Sequence, residues 1–286
     1  MKVSVCIPTY NHVKYISQCL DSVLMQETEF DYEILVGEDD SSDGTREICI
    51  EYAQKYPDRV RLFLNDRKNV IYINGRPTGR WNFVNLLTNA KGKYVAILDG
   101  DDYWTSPYKL QKQADFLDNN PDCSMCFHDV QIVSGEGNLI TVESPRGKKR
   151  RYGLKDLLRG NFIYTCSVMY RRGLFKEFPD WFYKTPLADW PLHILNAQHG
   201  DIGYISEVMG AYRLHREGIY SSKGELEQVK GMIEMYPYIN AHLNYRYSRF
   251  IKFRMYFKLI EKKAGIFLNS HGFGRILNFY RKIFYN

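Results

Sequence analysis

Tyr94-Val95-Ala96-Ile97-Leu98-Asp99-Gly100-Asp101-Asp102-Tyr103-Trp104 is the stretch on which the fold of this chain turns. A short, β-rich apolar run reads as a buried strand, and it ends abruptly in three carboxylates within four residues. Like charges that close are unfavourable unless a cation sits among them, and hard oxygen ligands suit Mg²⁺ or Mn²⁺. Gly100 between the first two carboxylates lets the backbone turn sharply or approach a ligand closely. An isolated Asp-Gly-Asp also reads as a solvated acidic turn. Its place after a strand of an α/β chain favours the metal reading, because ligands bind at the carboxyl ends of such strands.

Upstream, strands and helices alternate. Lys2 to Ile7 reads as a first strand closed by Pro8, followed by the polar loop Thr9-Tyr10-Asn11 and a helix over His12–Gln26 carrying Ile16, Leu20, Val23 and Leu24. Tyr32–Val36 is a second strand, and Gly37 to Thr45 an acidic loop whose Asp43 is placed to cap the next helix. Val60–Leu64 is a third strand. A loop with Gly75, Pro77 and Gly79 leads to a helix over about Trp81–Thr88, and Tyr94 opens the fourth strand. Ser106-Pro107 then supplies an N-cap and first-turn proline for a helix ending at Asn120-Pro121. Fourfold alternation is the pattern of an α/β chain with a mostly parallel sheet flanked by helices. It predicts that the loops Pro8–Asn11, Glu38–Asp43 and Asp99–Asp102 converge on one rim.

Further along, Gly147-Lys148-Lys149-Arg150-Arg151 reads as a basic surface loop or as a flap over an anionic substrate. Thr165–Tyr170 and Val208–Leu214 are strand-like. Ala188-Asp189-Trp190-Pro191 places an acid beside Trp at a Pro-marked helix start, either as a cap or as a general base facing a cleft. From Gly224 the chain reads as helical, with Phe250, Phe253, Phe257, Ile260 and Ala264 at helix spacing and Arg246, Arg249, Lys252 and Lys263 on other faces. A basic amphipathic helix of this kind fits the inner face of a membrane, and equally a helix packed on its own domain.

A length of 286 residues accommodates one large domain or one with an appendage. The net charge of +6 is concentrated in residues 241–286, where ten Lys and Arg face a single acid, Glu261. Nucleic acid is not expected as a partner, because no recognition motif accompanies that charge. The six scattered cysteines read as buried, reduced thiols of a cytoplasmic protein, and Cys123-x-x-Cys126 as core because no second pair completes a metal site. Met1-Lys2 leads straight into a strand with no secretory signal, and no run of about 18 apolar residues is present to span a bilayer. Neither Gly-x-Gly-x-x-Gly after the first strand nor a Gly-Lys-Ser/Thr loop occurs, so neither a dinucleotide fold nor a phosphate-binding glycine cradle is indicated.

Together these segments resemble the family 2 glycosyltransferases of the GT-A fold, over roughly residues 2–220. Val3 to Asn11 resembles the opening strand and loop of that family, Gly37 to Thr45 its acidic second loop, and Leu98 to Asp102 its Asp-x-Asp motif. Ala188-Asp189-Trp190 and Tyr212-Arg213-x-His215-x-x-Gly218 resemble its later motifs. The resemblance implies a GT-A domain over 1–222, with a nucleotide-binding half (1–120) and an acceptor half (121–222), and a helical C-terminal extension over 223–286. It implies an inverting transferase that uses a nucleotide-sugar donor, a UDP- or dTDP-sugar before others, and a glycan, lipid-linked or protein-linked acceptor. Thr9, Tyr10 and Asp39 would hold the base and ribose, with Pro8, Glu38 and Gly100 in the same pocket. Asp99 would contact the ribose, and Asp101 would bind Mn²⁺ or Mg²⁺. Arg80 would lie near the diphosphate, Arg213 and His215 near the diphosphate or a closing loop, and Asp189 would be the catalytic base. Glu38 and Asp40 depart from the usual Asp and Gly, and Ala188 from a more polar residue. A phosphatase also uses Asp-x-Asp, but after its first strand; a non-catalytic, membrane-recruited sugar- or nucleotide-binding relative is the remaining alternative.

Overall fold

In the computed structural model, which describes residues 1–145, 147, 149–215, 218 and 225–255, the chain forms two compact units. One comprises Met1–Lys184 and Ala188–Gly218, the other Thr185–Leu187 and Ile219–Asn286.

The first unit opens with β1 (Val3–Thr9), α1 (Ile16–Leu24), β2 (Tyr32–Glu38), α2 (Thr45–Lys55) and β3 (Val60–Leu64). A hairpin of β4 (Ile71–Ile73) and β5 (Arg76–Thr78) stands where the sequence reads as a loop, before α3 (Arg80–Asn89) and β6 (Tyr94–Ile97). Next come β7 (Tyr103–Trp104), α4 (Lys109–Asn119), β8 (Cys123–Ser134), β9 (Leu139–Glu143), β10 (Arg151–Tyr152) and α5 (Leu154–Arg159). It closes with β11 (Met169–Arg171), α6 (Asp189–Ala197) and β12 (Asp201–Leu214).

One sheet runs in the order β10-β12-β8-β11-β6-β1-β2-β3, with β7 added to β12 and β9 to β8. Strands β6, β1, β2 and β3 are mutually parallel, as the βα alternation dictates. The second half makes the sheet mixed: β8 and β12 are parallel to each other, and the three-residue β11 fills the gap between β6 and β8, antiparallel to both. The central strands are buried on both faces, because helices cover both sides. Val3, Val5 and Ile7 pack with Ile16, Leu20 and Val23 of α1 and with Leu110, Ala114 and Leu117 of α4 in one continuous core.

Some local expectations shift. Helix α1 begins four residues after His12, because Asn11 takes a positive φ and His12 donates its N–H to Thr45 Oγ1. Gly44, at φ 104°, holds the N-cap position of α2, and Asp43 acts one residue earlier by accepting the Thr45 N–H at 3.0 Å. Ser106 does not cap α4, whose N-cap residue is Tyr108. Residues 165–167 make a 3-10 turn rather than a strand. All six cysteines are unbridged and buried, Cys123 and Cys126 within the core.

A charged group lies inside this core. Lys109, at the start of α4, is fully buried with its Nζ 3.8 Å from the Trp104 ring centroid. No hydrogen-bond acceptor reaches it among the described residues.

In the second unit α7 spans Glu225–His242 with Pro237 inside it, and residues 248–255 are again helical. Ile251 is buried there while Phe253 is 63% exposed, so the buried face is not the Phe face read from spacing. Phe257, Ile260, Lys263 and Ala264 lie outside the described residues. Among the described residues no helix is long and apolar enough to cross a membrane.

Candidate functional site

The carboxyl ends of β1, β2 and β6 are laced together by backbone hydrogen bonds beyond their ladders. Leu98 N–H donates to Cys6 C=O at 3.0 Å and Gly100 N–H to Pro8 C=O at 3.1 Å, which carries the carboxylate segment along β1. Asp39 N–H donates to Thr9 C=O at 3.1 Å, which draws the β2 loop to the same point. Pro8, Thr9, Asp39 and Gly100 therefore meet on one rim. Side chains reinforce the lacing: Asn11 N–H donates to Ser41 Oγ, Ser42 N–H to Asn11 Oδ1, and Val13 N–H to Asp43 Oδ2.

Gly100 is fixed by crowding. A Cβ there would stand 2.5 Å from Thr9 Oγ1 and 2.8 Å from both Thr9 Cβ and His12 Nδ1. Thr9 sits in a buried strand and cannot retreat. Gly100→Ala is expected to lose about 1–3 kcal/mol of stability in urea denaturation; a variant as stable as the wild type would show that the loop yields freely.

The carboxylates of the segment have different environments. Asp101 Oδ2 accepts from His215 Nε2 at 2.9 Å and lies 3.8 Å from His12 Nε2. Burial opposes its charge, but the His215 hydrogen bond and the two imidazoles hold Asp101 below the usual carboxylate range. Asp99 is pushed up to about 8 by burial, by Asp101 and by Asp189. Asp102 is buried and raised well above its ordinary value by burial and by the other two carboxylates, and its Oδ1 accepts the Arg213 N–H at 2.8 Å.

Several expected ligand residues also hold framework contacts. Glu38 is fully buried; its Oε1 accepts the Ser41 N–H at 2.7 Å and its Oε2 pairs with Arg46. Arg213 is buried between the rings of Tyr15 and Tyr103. Its Nε donates to Asp101 C=O, one Nη to Gly135 C=O and the other to Gln18 Oε1. Arg80, at the first turn of α3, donates to Phe182 C=O at 2.7 Å and lies over the Phe182 ring. Burial draws it down to about 10 against the opposing pull of Asp189.

Asp189 opens α6 and accepts a 2.8 Å hydrogen bond from Asn161 Nδ2, whose Oδ1 takes the Ile163 N–H. Its charge is felt at Asp99, Arg80, Tyr170 and His193, so it belongs to the same electrostatic neighbourhood as the segment after β6.

Sequence reading passed over His12, Arg67 and Asn161. Arg67 lies 4.6 Å over the half-exposed Tyr10 ring and 3.6 Å from Asp39 Oδ2, so an aromatic face, a cation and a carboxylate share one edge of the rim. Arg67 opens a short 3-10 turn after β3 with no motif to mark it, and a lone His12 in a polar loop carries no signal until Asp101 stands beside it.

Among the described residues no three His, Cys, Asp or Glu side chains form a metal cage. Mg²⁺-type sites commonly take one or two carboxylates and complete their shell with substrate phosphates and water. Asp101, held ionised on a rim of crowded carboxylates, fits a site of that open kind.

The glycosyl transferase family 2 model matches residues 4–178. Uncharacterized protein Rv1520 of Mycobacterium tuberculosis is 36% identical over 220 residues, which is 77% of this chain and 61% of that protein. The chain thus spans about three-fifths of the length of the mycobacterial relatives it matches. S. aureus TarS 1-349 in complex with UDP-GlcNAc superposes with a TM-score of 0.57 at 23% identity, over 82% of this chain and 66% of that one. The mannosyltransferase PcManGT of Pyrobaculum calidifontis, in complex with GDP-Man and Mn²⁺, gives 0.57 at 18% identity over 82% and 63%. Both likenesses are to the fold.

Proposed function

The chain belongs to glycosyl transferase family 2, and we propose that it moves a sugar from a nucleoside diphosphate sugar to an acceptor hydroxyl in a single displacement with inversion. The observation that carries this reading is the convergence on one rim of Tyr10, Asp39, Asp99 and Asp101, with Asp189 inside the same electrostatic neighbourhood. Tyr10 and Arg67 flank the base, and Asp39 and Asp99 take the base and ribose hydroxyls. A UDP- or dTDP-sugar is the donor, and the acceptor is a glycan or a lipid- or protein-linked hydroxyl.

Asp101 is the protein ligand of a divalent cation, Mn²⁺ or Mg²⁺, whose chemistry when bound is to neutralise charge on the diphosphate as it departs. Asp189 accepts the acceptor's proton as the hydroxyl attacks the anomeric carbon from the face opposite the leaving group. Asn161 holds that carboxylate in place. His215 and Arg213 fix the carboxylate of Asp101 and the backbone beneath it, while Glu38 braces the loop that carries Asp39. Arg80 anchors the 180–183 turn and lies near the diphosphate. No covalent enzyme intermediate is required.

The test is a thermal-shift panel of UDP, dTDP, GDP and CMP, each with Mn²⁺, Mg²⁺ or EDTA. Ligand at about 100 times its dissociation constant adds roughly 2.7 kcal/mol of stability. A shift with one diphosphate that EDTA abolishes is the expected result, and no shift with any of them would overturn the reading.

A further inference from the structure

We propose that His12 is a second protein ligand, beside Asp101, of the divalent cation, and that its imidazole makes the site choose Mn²⁺ over Mg²⁺. This rests on Asp101 being a cation ligand. Two imidazoles approach the same carboxylate oxygen, and they do so differently. His215 Nε2 lies 2.9 Å from Asp101 Oδ2, within hydrogen-bond distance, and its side chain is only 6% exposed. His12 Nε2 lies 3.8 Å from that oxygen, too far for a hydrogen bond, with its side chain 19% exposed beside 18% for Asp101. His215 therefore orients the carboxylate, as groups that support a metal ligand do. His12 and Asp101 instead leave room between them, and solvent reaches both. Two donors about 2.1 Å from one octahedral ion stand about 3.0 Å apart when adjacent and about 4.2 Å apart when opposite. The 3.8 Å separation falls between those limits, so an ion is accommodated with less than about 1 Å of side-chain movement.

His12 is held where a ligand has to be. Its N–H donates to Thr45 Oγ1 at 2.8 Å, and its C=O accepts the N–H groups of Tyr15 and Ile16, each at 2.9 Å, as α1 begins. The ring is also fixed at its other nitrogen, because Nδ1 lies 3.2 Å from Thr9 Oγ1. A proton on Nδ1, donated to that hydroxyl oxygen, puts the lone pair on Nε2, the atom nearer Asp101. Histidines that bind metals are oriented in this way, with one nitrogen on the ion and the other N–H on a neighbouring oxygen. Gly100 keeps the space for the ring, since a Cβ there would stand 2.8 Å from His12 Nδ1.

The choice of ion follows from the donor atom. Mg²⁺ keeps to oxygen and gives up its waters reluctantly, whereas imidazole nitrogen is a common ligand of first-row transition ions. One carboxylate, one imidazole, substrate phosphate and water therefore favour Mn²⁺ more than oxygens alone would, with little gain for Mg²⁺. Two protein donors also agree with the lack of a three-residue cage among the described residues.

The experiment is pulsed EPR of Mn²⁺ bound to the full chain in the presence of UDP, beside titrations of Mn²⁺ and of competing Mg²⁺. Couplings to imidazole nitrogen and to diphosphate phosphorus are separate signals, and wild type is expected to show both. His12→Gln should lose the nitrogen coupling and bind Mn²⁺ about tenfold or more weakly, while Mg²⁺ affinity changes less than about threefold. Bound Mn²⁺ without nitrogen coupling in wild type would overturn the proposal, and so would a coupling that persists in His12→Gln. Unchanged or tighter Mn²⁺ binding by His12→Gln would overturn it too, since His12 would then be only a counter-ion of Asp101. If His12→Gln does not fold, His215→Gln decides: a retained coupling supports His12, and a lost one overturns it. Nitrogen coupling without phosphorus coupling would fail the UDP-donor reading and leave this one standing, and phosphorus without nitrogen would do the reverse.

Discussion

Replacing Asp189 by Asn is expected to leave donor binding near wild type and to lower turnover by about 10²–10⁴-fold, the range that a positioned general base supplies. Asn keeps the size of Asp and can still accept from Asn161 Nδ2, so the geometry at the start of α6 is preserved. What disappears is a group able to take a full proton from the acceptor hydroxyl. The carboxylate also sits in the first turn of α6, where the helix dipole favours a negative charge. A neutral amide forfeits that interaction, so a small stability loss accompanies the large kinetic one. Single-turnover product formation, read beside the nucleotide-induced thermal shift, separates the two effects. A fall in turnover without a fall in the shift is the expected pattern, because an interaction made only in the transition state is then the one removed. Wild-type turnover in Asp189→Asn would mean that another group takes the proton.

The parallel half of the fold was legible because it is written in short-range patterns. Buried strands at Val3, Tyr32 and Tyr94, each closed by a polar loop, force their loops onto one rim, and that rim holds Thr9, Asp39 and Asp99. The other half was not legible, since its strands are defined by long-range pairing. β12 runs fourteen residues from Asp201, yet only Val208–Leu214 reads as strand, because Tyr204–Glu207 crosses a register shift against β8. β11 owes its existence to the open slot between β6 and β8 more than to its own three residues.

The same division holds within the site. Acidic motifs mark which carboxylates gather, but which of them faces outward is settled by partners distant in sequence. Glu38 reads as a ligand beside Asp39 and turns inward because Arg46 and the Ser41 N–H are there to receive it. Arg213 reads as a cation near the diphosphate or a closing loop, and in the fold it also donates to the carbonyls of Asp101 and Gly135. A sequence names the residue type; only the packing tells whether its charge is left over for a ligand.

Lys109→Met is expected to stabilise the protein at neutral pH by about 1–4 kcal/mol, the range seen when buried charge gives way to well-packed apolar side chains. Lys109 is fully buried, and burial draws its ammonium down to about 7 from the usual lysine range. Between pH 7 and about 10.4 the unfolded chain binds a proton at this side chain that the folded chain does not, so stability rises with pH across that window. Below pH 7 both states carry the proton and the penalty is at its full size. The Trp104 ring, 3.8 Å from Nζ, offsets part of the cost through a desolvated cation–π contact of about 2 kcal/mol. Met has nearly the length of Lys, fills the same space beside Trp104 and carries no charge to desolvate. Its advantage over wild type should therefore narrow by up to about 1.4 kcal/mol per pH unit as urea denaturation is moved from pH 7 toward pH 9.5. A Met variant less stable than wild type at pH 7, or a gap that stays constant with pH, would mean that Lys109 keeps its proton in the fold and that Trp104 compensates its burial in full.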